Sequence, residues 1–352
     1  MRGILASLRL CVQYFLLLAF LLPGCAPRPP DPALAEGLSR RPSCTHRSGL
    51  REGGNARAKG PRIVSLAPNL TEIVCAVGAL DALVGRTSAC DYPPEIIKSV
   101  PVIGGFGAPS MDRLLKTRPT LILDVALEDE TVANLMTQLG VKRVRVPCAT
   151  LDDIPTAVLT VGRLAHFESA AQPLAERIRR KVAERRAALE ERKASGQTTP
   201  TVFVEIWGDP LMTVGRNSFV SELVALAGGR NLGNEVTDKD YFPVSSEWVI
   251  ARNPDIILCL YMTKGSGRTT DDRQQTSETG DPKSKIENRK SKIWIRLAGR
   301  TGWAQIKAVR EGHVYGGFDN NLILRPGPRV LQGIEALQTC IQQFTGRRQL
   351  HP

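Results

Sequence analysis

The sequence predicts an α/β protein of two Rossmann-like lobes joined by a single long helix, with a ligand cleft between the lobes. Three observations carry that expectation. A helix-proline-strand pattern occurs twice, 135 positions apart: Ser110-Met111-Asp112-Arg113-Leu114-Leu115 runs through Pro119 into Leu121-Ile122-Leu123, and Ser245-Ser246-Glu247-Trp248-Val249-Ile250 runs through Pro254 into Ile256-Ile257-Leu258. Short apolar runs alternate with helical patterns over residues 61–150, as a parallel sheet flanked by helices requires. After Pro173, Leu174, Ile178, Val182 and Leu189 recur at helical spacing among many charges as far as Ser195. About 25 residues at roughly 1.5 Å each would give a rod of nearly 40 Å, long enough to bridge two lobes. Two-lobed proteins keep ligands in the cleft between the lobes.

In order along the chain, Arg2 and Arg9 precede an apolar stretch from Leu10 to Leu22. It is short for a membrane span and fits a signal-peptide core. The box Leu22-Pro23-Gly24-Cys25 resembles a bacterial lipoprotein cleavage site, so residues 1–25 read as a signal peptide with Cys25 lipidated. Residues 26–60, rich in Pro, Arg, Gly and Ser, read as a disordered tether. The N-terminal lobe is expected over 61–150. Its strands are predicted at Arg62–Leu66, Val84–Thr87, Val100–Ile103, Thr120–Val125 and Arg143–Val146, and its helices near 71–78, 110–117 and 128–139. Asn69 with Glu72 three residues later fits a capping box, and Ser110 and Ser245 fit helix caps. A bridging helix region is expected over 151–198. The C-terminal lobe, 199–352, opens with the strand from Thr201 to Trp207, followed by a helix from Ser218 to Ala227. It carries a polar, basic insert at 264–300, in which Lys283-Ser284-Lys285-Ile286 recurs as Lys290-Ser291-Lys292-Ile293, then a strand at His313–Tyr315 and a closing helix from Pro328 to Phe344.

The formal net charge is +12, and its placement decides what it means. Residues 1–61 hold nine Lys/Arg against three Asp/Glu and residues 264–300 hold ten against five, leaving 28 basic and 27 acidic residues elsewhere. The basic excess lies in the tail and insert rather than on the lobes, which argues against a nucleic-acid partner. Eight cysteines include no CxxC pair, so a metal cage has no support. Cys75 and Cys259 read as small buried residues. Export would permit disulfides, with the pairing left open.

No GxxxxGK[ST], HExxH, GxSxG or GxGxxG pattern occurs, and the four histidines are scattered; nothing marks catalytic residues. Large rings do gather at strand ends and adjoining loops: Tyr92 in Asp91-Tyr92-Pro93-Pro94, Phe106, Trp207, Tyr241 and Phe318. Ligands of open α/β sheets bind beyond the carboxyl ends of the strands, and rings there suit a broad, partly apolar ligand. Each ring also has a plainer reading as packing onto its own lobe.

Pro61-Arg62-Ile63-Val64-Ser65-Leu66-Ala67-Pro68-Asn69-Leu70-Thr71-Glu72, Asp91-Tyr92-Pro93-Pro94-Glu95 and the two helix-proline-strand copies together resemble the helical-backbone class of periplasmic substrate-binding proteins of ABC importers, the cobalamin binders being nearest within it. The resemblance covers about 61–263 and 301–345. It implies a monomer that captures cobalamin or a related corrinoid as transported ligand, without a cofactor or resident metal, and delivers it to a permease served by ATPase subunits. It matches Tyr92, Phe106, Trp207 and Tyr241 to ring positions against the corrin and Asp319 and Arg325 to polar residues of the cleft. Asp112 and Glu247 match the two acids that dock on the permease; near a helix start such acids also favour the helix dipole. Phe106 and Tyr241 replace tryptophans, as does Val125, and Ala227 stands where a cysteine partner for Cys340 is expected. A ferric siderophore or haem binder of the same fold is the alternative, and an exported α/β enzyme a third.

Overall fold

The computed structural model describes residues 60–106, 108–125, 134, 136, 138, 140–260 and 293–350. The signal peptide, Cys25, the tether and most of the 264–300 stretch lie outside the described residues. So does most of the helix expected at 128–139, of which residues 134, 136 and 138 are helical.

The first lobe holds β1 (Ile63–Ser65), β2 (Leu83–Thr87), β3 (Val102–Gly105), β4 (Ala108–Pro109), β5 (Leu121–Asp124) and β6 (Lys142–Arg145), in the order β4-β3-β2-β1-β5-β6. Of these pairings only β3–β4 is antiparallel. Central β1 and β5 are buried along their whole length. A parallel sheet covered on both faces demands continuous apolar strands, which is why these segments read clearly in the sequence.

The second lobe holds β7 (Thr201–Glu205), β8 (Trp207–Gly208), β9 (Leu211–Val214), β10 (Arg230–Asn231), β11 (Tyr241–Pro243), β12 (Ile256–Cys259) and β13 (Val314–Gly316). Four of these form a parallel sheet, β10-β7-β12-β13, and three an antiparallel one, β11-β9-β8. The duplication reaches the register of the sheets: Val64 pairs with Ile122 and Phe203 with Ile257, 135 positions beyond Ile122.

Caps are used unequally. The Ser245 hydroxyl accepts the Trp248 N–H at 3.2 Å, and Ser218 accepts that of Ser221 at 3.1 Å. Helix Phe219–Ala227 ends on Gly228 at φ 102, a conformation suited to glycine. Ser110 occupies the N-cap of Met111–Lys116 but its side chain makes no capping bond. The Asn69–Glu72 capping box is not formed: the first helix spans Pro68–Ala76 with Ala67 at the cap, and both polar side chains are buried on other partners.

Two helices join the lobes, Asp153–Ala165 and Glu168–Ala194, with His166 between them at φ 64. The second is the expected rod, 27 residues long. It begins before Pro173, which removes one ladder bond without ending the helix. A single buried cluster runs from Ile63 and Leu123 through Val158, Ala171 and Ile178 to Val204 and Leu258. Arg186 on the rod pairs with Asp152 at 2.8 Å and with Glu222 of the second lobe at 2.6 Å. Arg185 donates to Gln338 on the closing helix Val330–Leu350. The rod is thereby fixed to the second lobe. Residues 293–298 form a further helix whose Ile293 and Leu297 are buried against Trp303 and Phe203.

A Cβ at Gly162 would stand 2.3 Å from the Ala171 Cβ, so only glycine allows the two joining helices to cross this closely. Helix propensity would make Gly162→Ala favourable by about 0.5–1 kcal/mol. Over-packing costs about 1–3 kcal/mol, and it should win because a methyl fixed to a helix backbone cannot swing away. The expected result is a lower thermal midpoint; an equal or higher midpoint by calorimetry would sink this account of the crossing.

Candidate functional site

Tyr92, Phe106, Trp207 and Asp319 lie just beyond the carboxyl ends of parallel strands. Beyond β2, the loop to Tyr92 is held by buried and part-buried bonds. Arg86 donates to the Cys90 carbonyl at 2.8 Å and the Ile97 carbonyl at 3.0 Å. Thr71 donates to the Cys90 sulfur at 3.0 Å, and burial pushes that thiol's pKa up. Tyr92, half-buried, is therefore presented on a fixed loop. Phe106 follows β3, half-buried against the main core.

In the second lobe Trp207 and Tyr241 flank β9. Trp207 pairs with Met212 and Tyr241 with Val214. Met212 and Val214 are two residues apart, so both rings lie on one face of the small sheet. The intervening Phe242 turns to the other side, edge-on to Trp248 at 6.1 Å. The Trp207 indole N–H donates to the Asp209 carbonyl at 2.6 Å. Beneath it, fully buried Glu205 accepts two bonds from Arg300 at 2.7 and 2.9 Å, and Arg300 stacks over Trp303 at 4.4 Å.

Between the lobes lies a cluster that the sequence revealed only in part. Buried Glu72, on the first helix, accepts Nε and Nη2 of Arg329 at 2.8 Å each and Nη1 of Arg325 at 3.4 Å. Arg325 also reaches Asp91 at 2.6 Å and the Ala89 carbonyl at 3.2 Å. Arg329 reaches Asp319 at 3.1 Å, and its guanidinium carbon lies 3.7 Å from the centroid of the Tyr92 ring. Asn69 and Cys148 each donate to the Pro326 carbonyl, at 3.2 and 3.1 Å. The expected site residues Tyr92, Asp319 and Arg325 thus come together at one inter-lobe contact, and Trp207 with Tyr241 at another surface. Glu72, Asp91 and Arg329 are the additions. A carboxylate in a helix buried on nearly every side was the available signal, since such a charge needs a partner.

Asp112 and Glu247 are both exposed in the first turns of the duplicated helices. Asp112 bonds Lys116 at 2.8 Å. The backbone N–H of Glu247 itself, then Ser245, hold the Glu247 carboxyl below its usual range. Cys75, Cys90, Cys148 and Cys259 are free thiols; Cys259 is buried as expected and Cys75 only half so. Among the described residues no group of three or more His, Cys, Asp or Glu is placed to hold a metal ion. Surface hollows of about 420 Å³ beside Arg185 and Gln338 and about 490 Å³ beside Arg62 and Lys116 contain no aromatic ring, so neither suits a stacked planar ligand.

Two parallel-sheet lobes, a rigid helical connection and rings at the strand ends define a two-lobed solute-binding protein. The chain belongs to the periplasmic binding protein family, the substrate-binding components of ABC transporters, whose model matches residues 63–319. It is 28% identical over 200 residues to a vitamin B12-binding protein of Pectobacterium atrosepticum, covering 56% of this chain and 70% of that one. It is 26% identical over 290 residues to an uncharacterized ABC transporter substrate-binding lipoprotein, YvrC, of Bacillus subtilis, covering 81% of each. Among solved structures it resembles the periplasmic heme-binding protein RhuT from Roseiflexus sp. RS-1 in apo form, with TM-score 0.62 and 26% identity over 81% of this chain and 99% of that one.

Removing one member of a buried ion pair leaves the others uncompensated, at a cost of about 3–5 kcal/mol. Arg325 and Arg329 each keep a second acid, so Glu72→Gln should cost near 3 kcal/mol in urea unfolding. A loss below about 1 kcal/mol would mean that the cluster does not tie the lobes together.

Proposed function

We propose that the protein captures cobalamin or a related corrinoid between its lobes and delivers it to an ABC permease and its ATPase subunits. The observation that carries this reading is the pair Trp207 and Tyr241 on one face of the β11-β9-β8 sheet, with Tyr92 on a fixed loop of the other lobe. Rings held rigidly before binding lose little entropy on contact with a flat macrocycle. Asp319 and Arg325 supply polar groups at the same seam, and Phe106 a further ring. The relatives named for vitamin B12 support the ligand class. Cys25 would anchor the exported monomer in the membrane by lipid. Asp112 and Glu247 project from equivalent helices of the two lobes, an arrangement suited to a two-fold permease. Nothing in this reading requires a bond to be made or broken.

Haem or a ferric siderophore is the second reading, favoured by the likeness to RhuT and by the arginines at strand ends. Calorimetric titration with cyanocobalamin, cobinamide, haemin and a ferric chelate separates the two. Cyanocobalamin or cobinamide is expected to bind, and Trp207→Ala to weaken that binding by about 2 kcal/mol, roughly thirty-fold. Heat only with haemin or the chelate would overturn the corrinoid assignment.

A permease-docking role for the two acids predicts a separation of effects. Asp112→Ala with Glu247→Ala should leave ligand affinity unchanged and reduce uptake in cells or proteoliposomes. Loss of ligand affinity would place these acids in the cleft or the fold instead.

A further inference from the structure

We infer that the inter-lobe cluster is a charge filter, in which Asp91 and Asp319 exclude ligands bearing ionised carboxylates and leave the cleft to macrocycles with uncharged, amide-type rims. The inference deepens the corrinoid reading and rests on it for the position of the ligand.

The cluster holds three carboxylates, Glu72, Asp91 and Asp319, against two guanidinium groups, Arg325 and Arg329. Its formal charge is therefore negative. The exposed members are two of the three acids: the side chains of Asp91 and Asp319 are 46% and 48% exposed, against 9% and 10% for the two arginines. A ligand arriving at the carboxyl ends of the strands, where Asp91 follows β2 and Asp319 follows β13, meets carboxylate before it can reach guanidinium.

The arginines are already engaged. Every side-chain nitrogen of Arg329 has an acceptor, Nε and Nη2 on Glu72 and Nη1 on Asp319. Both terminal nitrogens of Arg325 have acceptors too, on Glu72, Asp91 and the Ala89 carbonyl. One face of Tyr92 is covered by Arg329, so a ligand stacking on this ring would have to use its other face or its edge. Turning either arginine toward a ligand carboxylate would strip a counter-charge from buried Glu72, and the one ion pair formed with the ligand would not offset that loss. An amide rim escapes both difficulties, since its N–H groups donate to Asp91 and Asp319 without carrying charge. Among the described charged groups near the strand ends, Arg300 is held by Glu205, with Arg296 near the same acid, and Arg143 and Arg145 are held by Asp124 at 2.7 and 3.6 Å. Like charges set against a wrong ligand are a recognised source of specificity.

Asp91→Asn and Asp319→Asn keep the side-chain shape and one acceptor oxygen while removing one charge each, and Arg325 and Arg329 retain Glu72. Calorimetric titration of the wild-type protein, each single variant and the double variant with haemin and with cyanocobalamin tests the filter. Haemin affinity should rise at least ten-fold in the double variant, less in each single one, and the gain should shrink at high salt. Cyanocobalamin affinity should not rise, because its amide N–H groups lose two charge-assisted acceptors. Equal haemin affinity in all forms overturns the filter, as does an equal gain for both ligands, which would indicate a loosened cleft. Should the double variant unfold, seen by circular dichroism, the single variants read the same ratio. Failure of the wild-type protein to bind either cyanocobalamin or cobinamide would sink the corrinoid reading alone, because the haemin ratio would still report the filter.

Discussion

The relative placement of the lobes depends on one buried carboxylate. Glu72 receives both Arg325 and Arg329 from the far lobe, and taking three charged groups out of water is expensive unless each finds a partner. A patch of apolar side chains would bind the lobes as strongly or more so. What it would lack is direction. The Nε and Nη2 atoms of Arg329 meet the two oxygens of Glu72 side by side, a fork that is good at one orientation and poor at others. The Pro326 carbonyl, reached by Asn69 and Cys148, adds two more directional contacts within the same short segment.

The second constraint on the lobes lies at the helical connection. The Gly162–Ala171 crossing locks the two joining helices together, and Arg185 and Arg186 attach the longer one to the second lobe. The buried core passes through both helices without interruption, so a large hinge motion would have to open it. Small adjustments about the ion cluster cost less. A cleft held at two places in this way is largely formed before its ligand arrives, which suits binding by rigid rings.

The sheets are legible in the sequence and the seam is not, for a physical reason. Strands β1, β5, β7 and β12 are central and parallel, so burial on both faces forces apolar runs that stand out along the chain. The duplication marks the helix before β5 and its counterpart before β12. The capping box expected of Asn69 and Glu72 fails because a spacing of three has two meanings in a helix: a capping box at its start, or two neighbours on one face. Which meaning holds depends on where the helix begins, and here it begins at Pro68, two residues too early for the cap. The true partners, Pro326 and Arg329, lie 257 positions away, beyond the reach of any local pattern. Arg325 is reached only through the family resemblance and Arg329 by no sequence signal, though both flank the same Pro-Gly-Pro turn. The rings are easier to read, because an aromatic residue next to a strand end has few other places to go.

The two lobes solve the same electrostatic problem with different residues. At the end of β5, nearly buried Asp124 meets Arg143 at 2.7 Å and Arg145 at 3.6 Å; at the end of β7, buried Glu205 meets Arg300. The positions are not equivalent under the duplication, since 135 residues beyond Asp124 stands Cys259. Each lobe has placed an acid where strand ends converge and neutralised it from a neighbouring element. The consequence is common to both: among the described residues these two buried acids are neutralised within the protein, and the proposed reading sets Trp207, Tyr241, Tyr92 and two half-exposed carboxylates against the ligand. On that reading such a surface would hold a solute by its flat faces and uncharged rim, and would give an anionic one little to grip.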